Sequence, residues 1–372
     1  MKGRVGASEE RRINMQVKVE KLRESLKMLL PVIPRKPTLP VLANVLLRDG
    51  QAIATDLETM VALDLPESYG ACLIPCKTAL ELLKYVPGAV TLDIEYRDKK
   101  VNLTWDGGKA AYDVPPASDY PAVSDVPSTG DNYLDGDMLV KTLTSVAKYC
   151  ATEEKRPVLT GVAIFLGETI EIAAGDGYRM AYQTLNATWP EETTILIPAN
   201  TVGILKHLWE KLPPGPTFMP GASLARLVVS KRQISLAKDE DRFAIRFGGV
   251  TLLGKLIAGT PPRFREVIPS DPPLKIRLLA PELERAVRGL RGVAEDGTGG
   301  ILMQWTDSKL TVATKSQDKG TVEATVTVQT EGGEGSVGIN VRYLLDYLSG
   351  RDGMVAMEVT TDKSPILFRH SS

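Results

Sequence analysis

The sequence predicts an α+β chain of three similar domains, each with two helices packed on antiparallel sheet. Three observations carry this. An i, i+4, i+7 apolar stripe occurs three times: Leu22, Leu26 and Leu29; Leu139, Leu143 and Val146; Leu283, Val287 and Leu290. That spacing is one buried face of a helix of period 3.6. A second helix start recurs downstream of each stripe, and alternating β-branched runs surround both helices.

Within the first domain, Ile74-Pro75 opens the second helix, carrying Ala79, Leu82 and Leu83. In the second domain Ile197-Pro198 opens it, with Val202 and Leu205, and in the third Ile339-Asn340 does, with Leu344, Tyr347 and Leu348. Strand-like runs precede these helices at 52–63, 161–174 and 301–314, and others follow at 90–105 and 225–247. Asp137 predicts the N-cap of the second domain's first helix, and Pro281 fits the first turn of its third-domain counterpart. The stripes lie roughly 100 residues or more apart, a whole-domain period rather than a solenoid repeat. Pro/Asp/Ser-rich segments at 118–131 and 262–273 mark the boundaries, dividing the chain into 15–130, 131–272 and 273–372. Residues 1–14 hold Lys2, Arg4, Glu9, Glu10, Arg11 and Arg12 without an apolar core. They read as a disordered extension, or an upstream start ahead of Met15, and not as a signal peptide.

The 45 Lys and Arg nearly cancel the 46 Asp and Glu over 372 residues, so the molecule as a whole has no pull on nucleic acid. A role on DNA requires the positive charge to gather on one surface. The first helices supply such a surface. At about 100° per residue, Arg23 and Lys27, Lys141 and Lys148, and Arg285, Arg288 and Arg291 fall opposite their stripes. One such helix is an ordinary solvated face. Three related ones point to basic sides lining a shared channel, where phosphate contacts hold DNA without reading its sequence.

Enzyme chemistry finds little support. Three cysteines (Cys72, Cys76, Cys150) and two histidines (His207, His370) offer no zinc-spaced set, and their number fits a reducing cytosol. Residues 249–256 nearly form a phosphate-binding loop, but Leu256 stands where Ser or Thr must hold magnesium. The pairs Asp56 with Glu58 and Asp93 with Glu95 read as exposed strand carboxylates, and Asp176 as a turn residue. No cofactor is expected. No apolar run reaches the roughly 18 residues of a membrane span.

Several motifs, in order, resemble a known family. These are Lys36-Pro37-Thr38-Leu39-Pro40-Val41-Leu42-Ala43-Asn44-Val45, then Ala54-Thr55-Asp56-Leu57-Glu58. Arg156-Pro157-Val158-Leu159-Thr160-Gly161-Val162 and Gly175-Asp176-Gly177-Tyr178-Arg179-Met180-Ala181 follow. Pro262-Arg263-Phe264-Arg265-Glu266-Val267-Ile268-Pro269 and Asn340-Val341-Arg342-Tyr343-Leu344-Leu345 complete the set. From residue 15 to about 369 the chain resembles the bacterial DNA polymerase III beta subunits, the sliding clamps. The resemblance implies a DNA clamp fold, a head-to-tail homodimer ring around double-stranded DNA, and a cytoplasmic place in DNA replication. It also implies a peptide pocket for the polymerase III catalytic subunit, the clamp loader and repair proteins. Carried over by motif, the pocket comprises Arg156, Leu159, Gly175, Gly177, Tyr178, Arg179, Met180, Pro262, Val267, Asn340 and Tyr343. Lys36 and Lys77 stand at basic positions that touch DNA in the family.

Departures accompany the likeness. Glu153, Pro157 and Val158 stand at DNA-contact positions where polar or aromatic residues occur in the family. The chain stops at Ser372 without the family's apolar Met-Pro tail, so the last domain is expected to lack its C-terminal strand. That implies either a truncated gene product or a variant with a weakened pocket. At the subunit joint Tyr112 supplies an aromatic, but Val293-Ala294-Glu295-Asp296-Gly297 replaces bulky apolar residues, which implies a weaker dimer. The competing reading is a clamp-like peptide-binding adaptor that does not close stably on DNA.

Overall fold

The structure, a computed structural model, describes residues 13–66, 70–123, 127, 132–153, 155–212, 232–295 and 298–371. The chain forms two compact units, Met1–Pro261 and Pro262–Ser372.

The first unit contains one succession of elements twice over. It begins β1 (Ile13–Lys18), α1 (Val19–Leu29), β2 (Asn44–Arg48), β3 (Gln51–Thr55), β4 (Thr59–Asp64) and β5 (Ala71–Pro75). It continues α2 (Cys76–Leu83), β6 (Thr91–Arg97), β7 (Lys100–Trp105) and β8 (Gly108–Asp113). The same order returns as β9 (Leu134–Asp135), α3 (Gly136–Ala147), β10 (Gly161–Leu166), β11 (Ile170–Gly175), β12 (Met180–Leu185) and β13 (Thr193–Pro198). After these come α4 (Ala199–Lys211), β14 (Gln233–Lys238), β15 (Arg242–Phe247) and β16 (Val250–Lys255). Two sheets have the orders β1-β6-β7-β8 and β12-β11-β10-β13. The third joins the two repeats as one eight-stranded sheet, β5-β2-β3-β4-β16-β15-β14-β9. At its centre β4 and β16 run antiparallel, from Thr59 opposite Gly254 to Leu63 opposite Val250.

The second unit opens with the single turn α5 (Phe264–Val267) and then follows the plan with one short strand inserted and, among the described residues, two strands instead of three after its second long helix: β17 (Leu274–Leu279), α6 (Ala280–Ala294), β18 (Gly300–Trp305), β19 (Lys309–Ser316) and β20 (Gly320–Thr327). A short β21 (Gln329–Glu331) precedes β22 (Gly335–Asn340), α7 (Val341–Leu348), β23 (Met354–Val359) and β24 (Leu367–Ser371). Its sheets are β21-β17-β23-β24 and β20-β19-β18-β22. The last strand pairs with β23, Phe368 lying opposite Met357, and forms an edge of its sheet.

Apolar periodicity explains these elements. All nine stripe residues, from Leu22 to Leu290, are fully buried. Burying a Leu or Val side chain is worth about 1.5–3 kcal/mol, so each stripe fixes its helix on the sheets behind it. Strands β6 and β7 alternate buried and open positions, as strands with one covered face do. The helices of each pair pack together: α1 on α2, α3 on α4, α6 on α7. At the α3–α4 contact only glycine fits at 136, because a β-carbon there would overlap the Trp209 ring.

Two expectations change. Ile13 and Asn14, read as part of a disordered extension, belong to β1 and pair with Tyr96 and Glu95 of β6; residues 1–12 lie outside the described residues. The N-cap of α3 is Asp135, whose carboxylate accepts from Met138 N at 3.0 Å. Asp137 sits inside the helix and accepts from Trp209 Nε1 at 2.9 Å and Arg232 Nη1 at 2.7 Å. In the run 225–247, residues 225–231 fall outside the described residues and β14 begins at Gln233. Pro281 does occupy the first turn of α6.

Candidate functional site

The helix faces come first. On α1, Lys27 is exposed and its side chain makes no hydrogen bond or ion pair among the described residues. Arg23 is half-buried and donates from Nη1 to the Leu83 carbonyl at 3.2 Å, satisfying an end carbonyl of α2. Its charge is therefore partly committed to joining the helix pair. On α3, Lys141 is exposed, and Lys148 forms the C-cap with its side chain in solvent. Lys36, in the irregular segment after α1, and Lys77, in the first turn of α2, are exposed. Among the positions where the motif departs from the family, Glu153 is exposed and pairs with Lys155 at 3.3 Å.

In the second unit, Arg285, Arg288 and Arg291 all lie on the exposed side of α6. Arg285 has no ion pair among the described residues, whereas Arg288 meets Glu284 at 2.6 Å and Arg291 meets Glu295 at 3.1 Å. Arg342 also reaches Glu295, at 2.8 Å, and this hydrogen bond depresses the Glu295 carboxyl below its ordinary range. The basic face of α6 is thus diluted by its own carboxylates.

The turn between β11 and β12 gathers most of the residues read as a peptide pocket. Asp176 Oδ1 accepts from the backbone of Tyr178 at 2.9 Å and of Arg179 at 3.0 Å, closing an Asx turn. Gly177 takes φ +95°, where a glycine is favoured. Tyr178 is left 87% exposed at the tip. Arg156 is exposed and borders Gly177, while Leu159 and Gly175 are buried beneath and Met180 is half-buried. Arg179 turns inward. It pairs with Asp176 Oδ2 at 3.2 Å, donates to the Lys148 carbonyl at 3.2 Å, and lies 5.1 Å from the centre of the Tyr149 ring. Arg179 thus braces the turn against the end of α3, while the Arg156 side chain stays exposed beside it.

In the second unit, Val267 is 54% exposed on α5 and Pro262 is half-buried, while Phe264, passed over in the sequence, is the buried anchor of this turn. Asn340 caps α7, its Oδ1 accepting from Arg342 N at 2.9 Å, so that oxygen serves the helix. Tyr343 is half-buried on the same helix. Of the residues assigned to a subunit joint, Tyr112 is half-buried on β8 and Val293 is half-buried on α6. Ala294 is 3% exposed and belongs to the core, which corrects its assignment to an interface. Asp296 and Gly297 lie outside the described residues.

The near-miss phosphate loop is strand β16, and Lys255 pairs with Glu58 at 3.0 Å across the β4–β16 ladder. Burial pushes the thiols up, Cys72 and Cys150 to about 12 and Cys76 to about 11, so all three are neutral core groups. Asp93 accepts from Gln16 Nε2 at 2.6 Å, and Asp56 from two backbone amides. These carboxylates serve local structure.

Two family models match the chain. The central domain of the DNA polymerase III beta subunit matches residues 133–213, and its C-terminal domain matches residues 265–372. The chain belongs to the DNA polymerase III beta subunit family. Among relatives of this beta subunit, the beta sliding clamp of Pseudomonas aeruginosa is 25% identical over 346 residues, 90% of each chain. The beta sliding clamp homolog GriR of Streptomyces muensis is 23% identical over 355 residues, 91% of this chain and 89% of that one. The same fold is found in the DNA polymerase III subunit beta of P. aeruginosa, with TM-score 0.85, 22% identity and 96% of each chain covered. The DNA polymerase sliding clamp of Bacillus subtilis matches with TM-score 0.85, 18% identity and 96% of each chain covered. A P. aeruginosa clamp bound to griselimycin matches with TM-score 0.84, 22% identity and 96% of each chain covered.

Proposed function

We propose that this beta subunit is a DNA sliding clamp that encircles duplex DNA and holds the replicative polymerase on it. One observation carries the reading: the repeated unit, β-α-β-β-β-β-α-β-β-β twice in the first unit and with two strands after α7 in the second, directs exposed basic side chains outward from helices whose opposite faces are fully buried. We read each repeat as one domain, and two copies of the chain as closing into a ring with these faces inside. Lys27, Lys36, Lys77, Lys141, Lys148 and Arg285 are the unpaired exposed cations among the described residues that we assign to phosphate contact. Arg23, Arg288 and Arg291 contribute less, since each is already engaged. Sequence-blind contacts weakened by neighbouring carboxylates suit a protein that must slide.

Retention then comes from enclosure, and catalysis plays no part in the reading. Partners gain a high effective concentration at the template by docking on the ring. We assign that docking to Tyr178, Arg156, Leu159 and Met180 of the first unit. The partners of this site are short peptide segments of the polymerase III catalytic subunit, the clamp loader and repair proteins, and the place of action is the cytoplasm. No described helix is long and apolar enough to cross a membrane.

A topological assay tests the proposal. Protein loaded on nicked circular plasmid by a clamp loader should stay with the DNA through gel filtration and leave when one cut makes the plasmid linear. Equal loss from both forms would support the adaptor reading instead.

A further inference from the structure

His207 stands where the two repeats of the first unit bring their helices together. Helix α4 packs against α3, against β13 and against α1 of the other repeat. Across this last contact His207 Nε2 lies 3.4 Å from the Lys27 carbonyl oxygen. A carbonyl oxygen only accepts, so the neutral ring keeps its proton on Nε2 and leaves Nδ1 as a lone pair. The ring is half-buried, and Nδ1 makes no hydrogen bond among the described residues.

The repeat gives this position a counterpart. His207 follows Pro198, the N-cap of α4, at the interval at which Lys84 follows Pro75, the N-cap of α2. Lys84 is exposed and meets Glu81 at 2.6 Å. In α4 the place of Glu81 is taken by the buried Ile204, so no carboxylate stands one turn before His207. The second repeat has a titratable ring where the first has a permanent cation that is already paired.

The charges around the ring are mostly positive. On α1, Lys27 is exposed with its ammonium unpaired among the described residues, and Glu24 lies one turn before it. On α3, Lys141 is exposed, while Asp137 is held by Trp209 and Arg232. Helix α4 itself adds the exposed Lys211 one turn after His207, and Lys206, which meets Glu210 at 3.7 Å. Strand β13 has no charged residue. Imidazole is the side chain whose charge ordinarily changes between pH 5 and 8. With its second proton the ring becomes a donor at Nδ1 as well, which suits an anionic oxygen beside Lys27.

We propose that His207 is a proton-dependent contact for a DNA phosphate at the joint of α1 and α4. The charged ring donates from Nδ1 to the phosphate that Lys27 also meets, and the neutral ring makes no contact there. The inference rests on reading the basic helix faces as the surface that meets DNA.

Titration of the full chain with a fluorescent duplex oligonucleotide tests it, over a salt series at about pH 5.5 and about pH 8, the two sides of the ordinary imidazole transition. The wild type should bind about threefold tighter at the lower pH, with a slope of log affinity against log salt steeper by about one. His207→Gln should lose this difference, and His207→Lys should bind at the higher pH as the wild type does at the lower. Gln and Lys are both good helix formers, so the fold should hold, and circular dichroism checks it. In NMR of the histidine rings, bound duplex should raise the His207 titration midpoint by about 0.5 pH units, the same threefold effect seen from the proton's side, and leave that of His370 in place. Equal pH dependence in the wild type and His207→Gln, or equal movement of both histidine midpoints, would overturn the inference and leave the basic faces standing. Duplex affinity that no salt concentration changes, in the wild type and both variants, would count against the basic faces themselves, and the inference would fall with them.

Discussion

Arg179 Nη2 donates to the Lys148 carbonyl oxygen at 3.2 Å, tying the β11–β12 turn to the C-terminal end of α3. The same guanidinium is ion-paired with Asp176, and the two side chains are only 18% and 16% exposed. Arg179→Ala leaves a poorly solvated carboxylate and an uncapped carbonyl, and should cost about 2–3 kcal/mol in urea unfolding. Arg179→Lys should recover only part of that, because an ammonium cannot bridge both acceptors as the planar fork does.

Tyr178 offers the contrast one residue away. Because it is almost fully exposed, Tyr178→Ala should change stability by less than about 0.5 kcal/mol. Its effect should fall on partner binding, measured by titrating a labelled peptide from the polymerase catalytic subunit. Loss of affinity at unchanged urea midpoint is the expected pair of results.

The two aspartates at the start of α3 should separate by mechanism. Asp135→Ala removes the N-cap and should cost about 1 kcal/mol. Asp137→Ala frees Trp209 Nε1 and Arg232 Nη1, and should cost a similar amount while altering Trp209 fluorescence. Chemical denaturation followed by tryptophan emission checks both.

On the basic faces, an unpaired cation should matter more than a paired one. Arg285→Ala should lower the slope of log affinity against log salt by about one, as the loss of a phosphate contact does. Arg291→Ala should lower it less, because Glu295 already neutralises part of that charge. Filter binding to a duplex oligonucleotide over a salt series gives both slopes.

The buried thiols predict an alkaline limit. Their folded pKa values, about 12 for Cys72 and Cys150 and about 11 for Cys76, lie above the roughly 8.5 of an unfolded thiol. Above pH ~8.5 the unfolded chain releases protons that the folded chain keeps. This contribution is therefore complete below the unfolded value and is lost as pH rises through the folded ones. The urea midpoint should fall between pH 8 and pH 10, and Ellman's reagent should titrate these thiols only after unfolding.

The helices were legible because their signal is local. Nine apolar residues at fixed spacing specify three buried faces, and all nine are buried. Partner choice was not legible. Asp135 and Asp137 are chemically identical, and where β9 ends and α3 begins decides which one caps the helix. The Arg179 brace depends on a carbonyl 31 positions away, and the β4–β16 ladder joins residues as far apart as Glu58 and Lys255, 197 positions. No periodicity reports such pairings. Ala294 misled for another reason: its correspondence with the family places it at the subunit joint, but its methyl group completes the stripe begun by Leu283.

The eight-stranded sheet that runs from β5 to β9 has a mechanical meaning. Shearing the first repeat from the second would break a backbone ladder in the middle of a continuous sheet, with no apolar gain in return. The two repeats of the first unit should therefore move together as one stiff plate.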